Sequence, residues 1–592
     1  MKKYLIISAM MLVLASSCEK FLDKSPLDSL TAEQAFADES SLQRYIYSLY
    51  QNNIPTALQI YGNAGVYEQM FVIGDNISDI TASNIMNVFI IEGGWNSNKE
   101  LWWTWTELRR INYFLVNYQN ANATQAKKNH YAGIARFFRA WFYFDKVKRY
   151  GDVPWYNKPL GSQDPDLYKA RDPRTLVMDS VLADINFAVK NIEDTKDNSC
   201  SLVTKWVALA LKSRICLFEG TFRKYHTELG LSNTANSWLQ NASDAANEIM
   251  TSGKYKLYST NTPDKDYRAL FINESPKSDE IILAAVYNNT LEKWHGATSF
   301  FSNFGKYQES FTKRFVNTYL NIDGSRFTDA AGYDTVQFQR EVKNRDKRLA
   351  QTIRTPFYKR SDGTVPSPYL ASALSGYQIL KFSLDDPYYD QIDRCSNAIP
   401  LIRYAEVLLN YAEAKAELGS FTETEWNATI GLLRKRAGIT NTAMPATLDT
   451  YMTNNFYEDL NSIPIVEIRR ERAVELAAEA FRMDDLKRWK KGSLLEIVQD
   501  GIYCTGLNEL QDLNGDGKPD VSFVTVKPST PVTGVYYCIV DNNSVKLSEG
   551  NKGRLLLQCN IVKKFKDSRY YAPIPHNELL INPNLIQTEG WD

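Results

Sequence analysis

Histidine is scarce: the 592 residues hold four, His130, His226, His295 and His576. No two stand at metal-ligand spacing, which argues against a zinc or iron site. No CxxC occurs among the seven cysteines. Setting Cys18 aside leaves six, an even number that suits either disulfides or buried thiols. A surplus of positive charge is absent too. Lys and Arg total 68 against 69 Asp and Glu, a formal net charge of −1. With no basic block, nucleic acid is excluded as the main partner. The chain lacks G-x-S-x-G, H-E-x-x-H and G-x-G-x-x-G motifs. Its one "GDGK" is followed by Pro519, which rules out a Walker motif. Beyond the N-terminus, no run approaches the roughly 20 apolar residues of a spanning helix.

What is present begins with "MKKYLIISAMMLVLASSC". Two lysines, an apolar run and then small residues form a secretory signal rather than a membrane span. The segment ends at Ala15-Ser16-Ser17-Cys18, with Leu14 four residues before the cysteine. Small residues directly before a cysteine are the bacterial lipoprotein pattern. Cleavage after residue 17 would leave Cys18 to carry lipid and anchor a soluble body to a membrane. The bland alternative is ordinary secretion with a chance cysteine. Residues 18–30 are polar and contain Pro26, as suits a tether.

Helical periodicity dominates up to about Gly253. It predicts helices near 33–51, 99–118, 125–149, 174–191, 202–219 and 236–252, then 401–418, 425–437 and 463–491. Residues 255–400 and 500–572 are rich in Gly, Pro, Asn, Asp and Ser. They read as loops with short strands such as "GVYYCIV" and "SVKLSE". The layout is a mostly helical scaffold of paired helices carrying long loop-rich insertions, where function usually resides. "ARFFRAWFYFDKVKRYGDVPW" places aromatics around well over half of one helix, so that stripe predicts core. Gly151 would cap the helix, with cations in its last turn.

Aromatics make up 12% of the chain, and those on loops are the candidate ligand platforms. A sugar offers flat C–H faces to rings and hydroxyls to planar polar groups. "EGGWNSNKELWW" sets Trp95 in a Gly-led loop between the amides of Asn96 and Asn98, before a helix expected near Lys99. Trp102, Trp103 and Trp105 are assigned to packing on that helix. A second stretch, "YNNTLEKWHGATSFFSNFGKY", offers Trp294, His295, Phe300, Phe304 and Tyr307. Its rings also allow a packed helical reading. Asp75 in "VIGDNISD" is a further polar candidate. "DLNGDGKPD" aligns Asp512, Asn514, Asp516, Lys518 and Asp520 with calcium-loop positions 1, 3, 5, 7 and 9, and Gly517 with position 6. Phe523 stands where the closing glutamate of an EF-hand would be. A structural Ca²⁺ is one reading and a solvated Asx/Gly turn the other; no cofactor is required.

Glu471, Glu475 and Glu479 fall four apart in "ERAVELAAEAF". Glycosidase acids face each other across a cleft, about 5–10 Å apart. Neighbours on one helix face leave no room for a sugar between them. A structural ion network with nearby Arg469, Arg470, Arg472 and Arg482 is the expected role.

Together these blocks carry a resemblance. "LRRINYFL", "ARFFRAWFYFDKVKRYGDVPW", "IPLIRYAEVLLNYAEAKAELG", "LLRKRAGI", "IRRERAVELAAEAFRMDDLKRWKKG" and "YYAPIPHNELLINPNLIQTEGW" occur in that order across nearly the whole chain. They resemble the SusD/RagB family of outer-membrane nutrient-binding lipoproteins. The resemblance implies tetratricopeptide-like helix pairs, with an N-terminal helical region over 31–253 and a C-terminal region over 254–592 packed into one body. It also implies a lipid-anchored, surface-exposed protein that binds oligosaccharide and serves a SusC-like TonB-dependent outer-membrane barrel, which the scaffold helices face. Peptide cargo and a surface glycoside hydrolase are the alternatives.

Overall fold

The computed structural model describes residues 32–55, 78–84, 88–302, 308–391 and 393–591. Cys18, the signal and tether, Asp75, Phe304 and Tyr307 lie outside the described residues. The principal helices are α1 Glu39–Asn53, α2 Thr106–Asn117, α3 Gln125–Tyr150, α4 Arg174–Asn191, α5 Lys205–Tyr225 and α6 Ala235–Thr251. After the first long insertion come α7 Tyr404–Glu417, α8 Ile463–Glu475, α9 Arg482–Arg488 and, near the end, α10 His576–Ile581. Local chemistry sets their ends. The Asp38, Thr124 and Thr204 side chains accept from the first-turn amides of α1, α3 and α5. Gly151, at φ 75°, stops α3.

Helices α3 and α4 pack as one pair and α5 and α6 as another; α7 lies on α6 and on α8. This is the mostly α scaffold that the periodicity predicts, built of the tetratricopeptide-like helix pairs that the resemblance implies. A Cβ on Gly220 would come within 2.8 Å of Leu239, so glycine there permits the close approach of α5 to α6. The aromatic stripe of α3 is core, as its pattern predicts: Phe137, Phe138, Tyr143 and Tyr150 are fully buried.

Two large apolar cores result. One fills the scaffold and draws residues from Phe36 to Leu585. The other, from Ile80 to Leu557, lies under the insertions. Short strands organise the second core. Ile281–Ala285 pairs antiparallel with Ile399–Arg403, and Val521–Val524 pairs in parallel with Tyr536–Ile539. The two sequence stretches read as strands both contain one, at Tyr536–Ile539 and Lys546–Leu547. All six described cysteines are free thiols, four of them buried.

Two expected helices are corrected. The helix expected near Lys99 starts at Thr106. The buried Glu100 carboxylate accepts from the Trp102 amide (3.2 Å), and Lys146 Nζ binds the Trp102 carbonyl; both hold the chain extended. The expected 463–491 helix is two, α8 and α9. Ala478 and Ala480 between them take φ of 60° and 64°. There the carbonyls of Glu475 and Ala477 are captured by Arg403 Nη2 (2.7 Å) and Lys381 Nζ (2.8 Å) instead of continuing a helix.

Those contacts belong to a buried ion network between the cores. Glu475 meets Arg348, Arg403 and Arg436; Glu471 meets Arg348 and Arg434; Glu479 meets Lys381 and Arg403. The carboxylates are structural, as expected, but their partners are not. Arg469, Arg470, Arg472 and Arg482 pair elsewhere, with Glu417, Asp449, Asp485 and Asp79.

Candidate functional site

The first loop candidate is locked in place. Trp95 is half-buried, and its Nε1 donates to Glu100 Oε2 (3.1 Å). Glu100 also receives Arg149 Nε and Nη2 (2.9 Å each) and the Tyr150 hydroxyl (2.7 Å). The Trp95 ring leans on Phe89, 5.7 Å between centroids. Asn96 Oδ1 is taken by the Asn98 amide in a local turn (3.1 Å). Trp95 therefore plugs a buried carboxylate, and Asn96 shapes its loop. Trp95 and Asn96 thus have packing roles of their own while staying partly exposed, and the Asn98 side chain is exposed.

The second candidate divides. His295 is fully buried, Nε2 on the Asn397 carbonyl (2.9 Å) and Nδ1 on the Ala297 amide (3.2 Å). A carbonyl only accepts and an amide only donates, so the ring is neutral with its proton on Nε2. Burial pushes its pKa down to about 4. Phe300 is 3% exposed, within the second core. His295 and Phe300 are thus corrected from ligand contacts to core residues. The turn at residues 297–302 is helical and faces inward, which loop composition does not reveal.

Trp294 remains half-exposed and gathers partners from a distant loop. Its Nε1 donates to Asn289 Oδ1 (3.0 Å), within a turn closed by the Asn288–Lys293 bridge. The Arg394 guanidinium lies 5.4 Å from the Trp294 ring centroid and 5.8 Å from that of Tyr388. Tyr388 is 49% exposed and packs edge-on to Tyr389. Beside them Arg360 clamps Asp390 with two 2.7 Å bonds, while Ser302 Oγ donates to the same carboxylate (2.6 Å). Exposed rings, a guanidinium spread between them and an adjacent amide form the combination that a sugar requires. Sequence reasoning missed Asn289, Tyr388 and Arg394. The doubled tyrosine after Asp386-Pro387, a capped turn, was the available signal.

In "DLNGDGKPD" the acidic groups serve their own backbone. Asp512 accepts from the Gly515 and Gly517 amides (2.6 and 2.8 Å). Asp516 accepts from the Lys518 amide (2.8 Å). Asp520 accepts from Leu513 and Asn514 (2.7 and 3.2 Å), and Asn514 Oδ1 from Asp516 (3.0 Å). These are successive Asx turns. Among the described residues no group of three His, Cys, Asp or Glu is placed to hold a metal ion.

A separate cleft of about 470 Å³ opens in the scaffold. Trp103, Trp105, Tyr156 and Tyr168 line it together with α10, whose Ile581 is 63% exposed. Leu580 and Ile586 beside it are 70% and 75% exposed. Burial raises the pKa of the half-buried Glu578 carboxyl in its wall. Exposed apolar side chains gathered at a cleft are a common setting for interaction surfaces and ligand grooves. No described helix is long and apolar enough to cross a membrane.

Comparison with known proteins agrees with the fold. Residues 279–591 match the model of the SusD family, and residues 20–217 match one described as starch-binding associating with outer membrane. SusD-like protein P25 of Formosa agariphila is 25% identical over 512 residues, covering 82% of this chain and 89% of that protein. A SusD-like carbohydrate binding protein of Bacteroides fragilis has the same fold, with a TM-score of 0.68 at 21% identity over 93% of this chain and 99% of its own. Surface glycan-binding protein A of Bacteroides fluxus aligns with a TM-score of 0.55 at 16% identity, over 94% and 100% of the two chains. The chain belongs to the SusD/RagB family.

Proposed function

We propose that this protein is a lipid-anchored, surface-exposed outer-membrane protein that binds oligosaccharide and delivers it to a SusC-like TonB-dependent barrel. The observation that carries the sugar reading is the Trp294–Arg394–Tyr388 surface with Asn289 at its edge. The rings would lie under pyranose C–H faces while Arg394 and Asn289 bond hydroxyls. Such open, half-exposed platforms bind through few immobilised groups, so affinity in the micromolar to millimolar range is expected. The relatives described as carbohydrate- and glycan-binding favour sugar over peptide as cargo.

The anchoring part of the reading rests on Cys18 and the small residues before it. Delivery rests on family membership, with the apolar cleft walled by scaffold residues as the surface offered to the barrel. Binding without catalysis is supported by the buried, ion-paired state of Glu471, Glu475 and Glu479. None of the three faces a sugar-sized opening. Isothermal titration against a broad panel of glycans and peptides tests the proposal. Saturable binding of at least one oligosaccharide, without release of shorter products, is the expected result. Binding of peptides alone, or steady appearance of shortened sugars, would overturn it.

A further inference from the structure

Arg314 presents an unbalanced charge. It is 7% exposed, and neither Nη1 nor Nη2 has a hydrogen-bond partner. Its guanidinium lies 4.1 Å over the Phe456 ring, which supplies no counter-charge beyond the ring face. Burying a guanidinium with two unmade bonds costs several kcal/mol unless something accepts them. The residue lines a small hollow between three distant stretches of chain, Ser78–Asp79, Ile90–Ile91 and Leu495–Asp500. Lys563 lines the same hollow and is likewise without an ion pair among the described residues.

The carboxylates beside the hollow are engaged elsewhere. Both oxygens of Asp79 go to Arg482, at 2.7 Å each. Asp500 accepts the Arg314 backbone amide (3.0 Å) through Oδ1 and Arg554 (3.4 Å) through Oδ2. Arg314 and Lys563 thus face a cavity whose lining carboxylates, Asp79 and Asp500, hydrogen-bond Arg482, Arg554 and a backbone amide rather than the Arg314 guanidinium. Its volume, about 20 Å³, holds one or two water-sized atoms, too little for sulfate, phosphate or a sugar carboxylate.

We propose that this hollow is a resident site for a monatomic inorganic anion of chloride size, held by the two free N–H groups of Arg314 with Lys563 alongside. A water next to the ion fills the remaining room. It donates to Gln499 Oε1 and Gln558 Oε1, which are also buried without a partner. The ion closes the charge balance where Ser78–Asp79, Ile90–Ile91, the Arg314 turn and the 495–500 strand entrance meet. It is independent of the Trp294 surface and sits beside the smaller apolar cluster that holds Ile90, Phe456 and Leu495.

Bromide-soaked crystals of the full soluble chain supply the direct test. An anomalous peak within hydrogen-bonding distance of the Arg314 guanidinium is expected. Thermal unfolding at constant ionic strength supplies the second. The midpoint should rise with the logarithm of chloride or bromide concentration when either replaces gluconate. Arg314→Met should abolish that dependence. Lys563→Gln, which leaves the buried guanidinium in place, should weaken it several-fold if the first variant does not fold. Density for water alone with no bromide signal, or a midpoint indifferent to halide, would overturn the assignment. So would stabilisation by sulfate and not by chloride.

Discussion

Arg403 holds Glu475 twice. Its Nη1 meets the carboxylate at 2.6 Å and its Nη2 meets the same residue's backbone carbonyl at 2.7 Å. One side chain thus neutralises a buried acid and terminates the helix that carries it. Arg403 closes the strand Ile399–Arg403 and directly precedes α7, so the contact ties the insertion core to the scaffold. Removing it would strand Glu475 and Glu479 with one cation fewer each. Arg403→Met should destabilise the protein by about 3–5 kcal/mol, the usual cost of breaking a buried pair from one side. Urea unfolding measures this; a loss under about 1 kcal/mol would show the network to be redundant.

Trp294 should matter for cargo and little for stability, because its ring is half-exposed on a turn. Trp294→Ala is expected to weaken glycan binding by about 2 kcal/mol, roughly thirtyfold in Kd. The unfolding midpoint should stay within about 1 °C. Unchanged titration curves would remove the ring from the site.

Trp95 should behave in the opposite way. Trp95→Ala opens the cover over Glu100 and forfeits a bond to a buried carboxylate. A stability loss of about 2 kcal/mol is expected, with glycan affinity unaltered. Circular dichroism melts and titration on the same sample separate the two effects.

His295 gives the protein a specific acid sensitivity. Its folded pKa of about 4 lies below the ordinary 6.5 because burial disfavours the charged ring. Between those values the unfolded chain binds a proton that the folded chain does not, so stability rises with pH across that window. The contribution is complete above 6.5 and is lost progressively toward 4, by about 3 kcal/mol in all. His295→Gln should flatten that part of the stability–pH curve, even if it lowers stability overall. Parallel curves for the two proteins would contradict this.

The scaffold cleft makes a cellular prediction. Ile581→Asp places a charge on its exposed apolar wall, where like-for-like burial against a partner becomes costly. Glycan binding by the purified variant should be normal, while uptake by cells, and co-purification with the proposed partner barrel, should fall about tenfold or more. Normal uptake would move the docking surface elsewhere.

Much of this protein could be read from residue order alone. The α3 stripe declares itself core because rings around most of a helix have nowhere else to go. Thr124 and Gly151 mark its ends through local hydrogen bonding, and the spacing of Glu471 and Glu475 on one helix face already points to a structural ion network. Local periodicity and capping are short-range effects, so short-range pattern suffices. The proposed binding surface is of another kind. Trp294 and Arg394 are separated by 99 intervening residues, and nothing near Trp294 says that Arg394 and Tyr388 will flank it. Likewise, nothing near Trp95 announces that Glu100 will be buried and in need of its indole. Whether a loop ring meets solvent or plugs a polar hole depends on which distant groups the tertiary fold brings beneath it. The break after Glu475 has the same cause: Arg403 and Lys381, remote in sequence, outbid the helix for its last carbonyls.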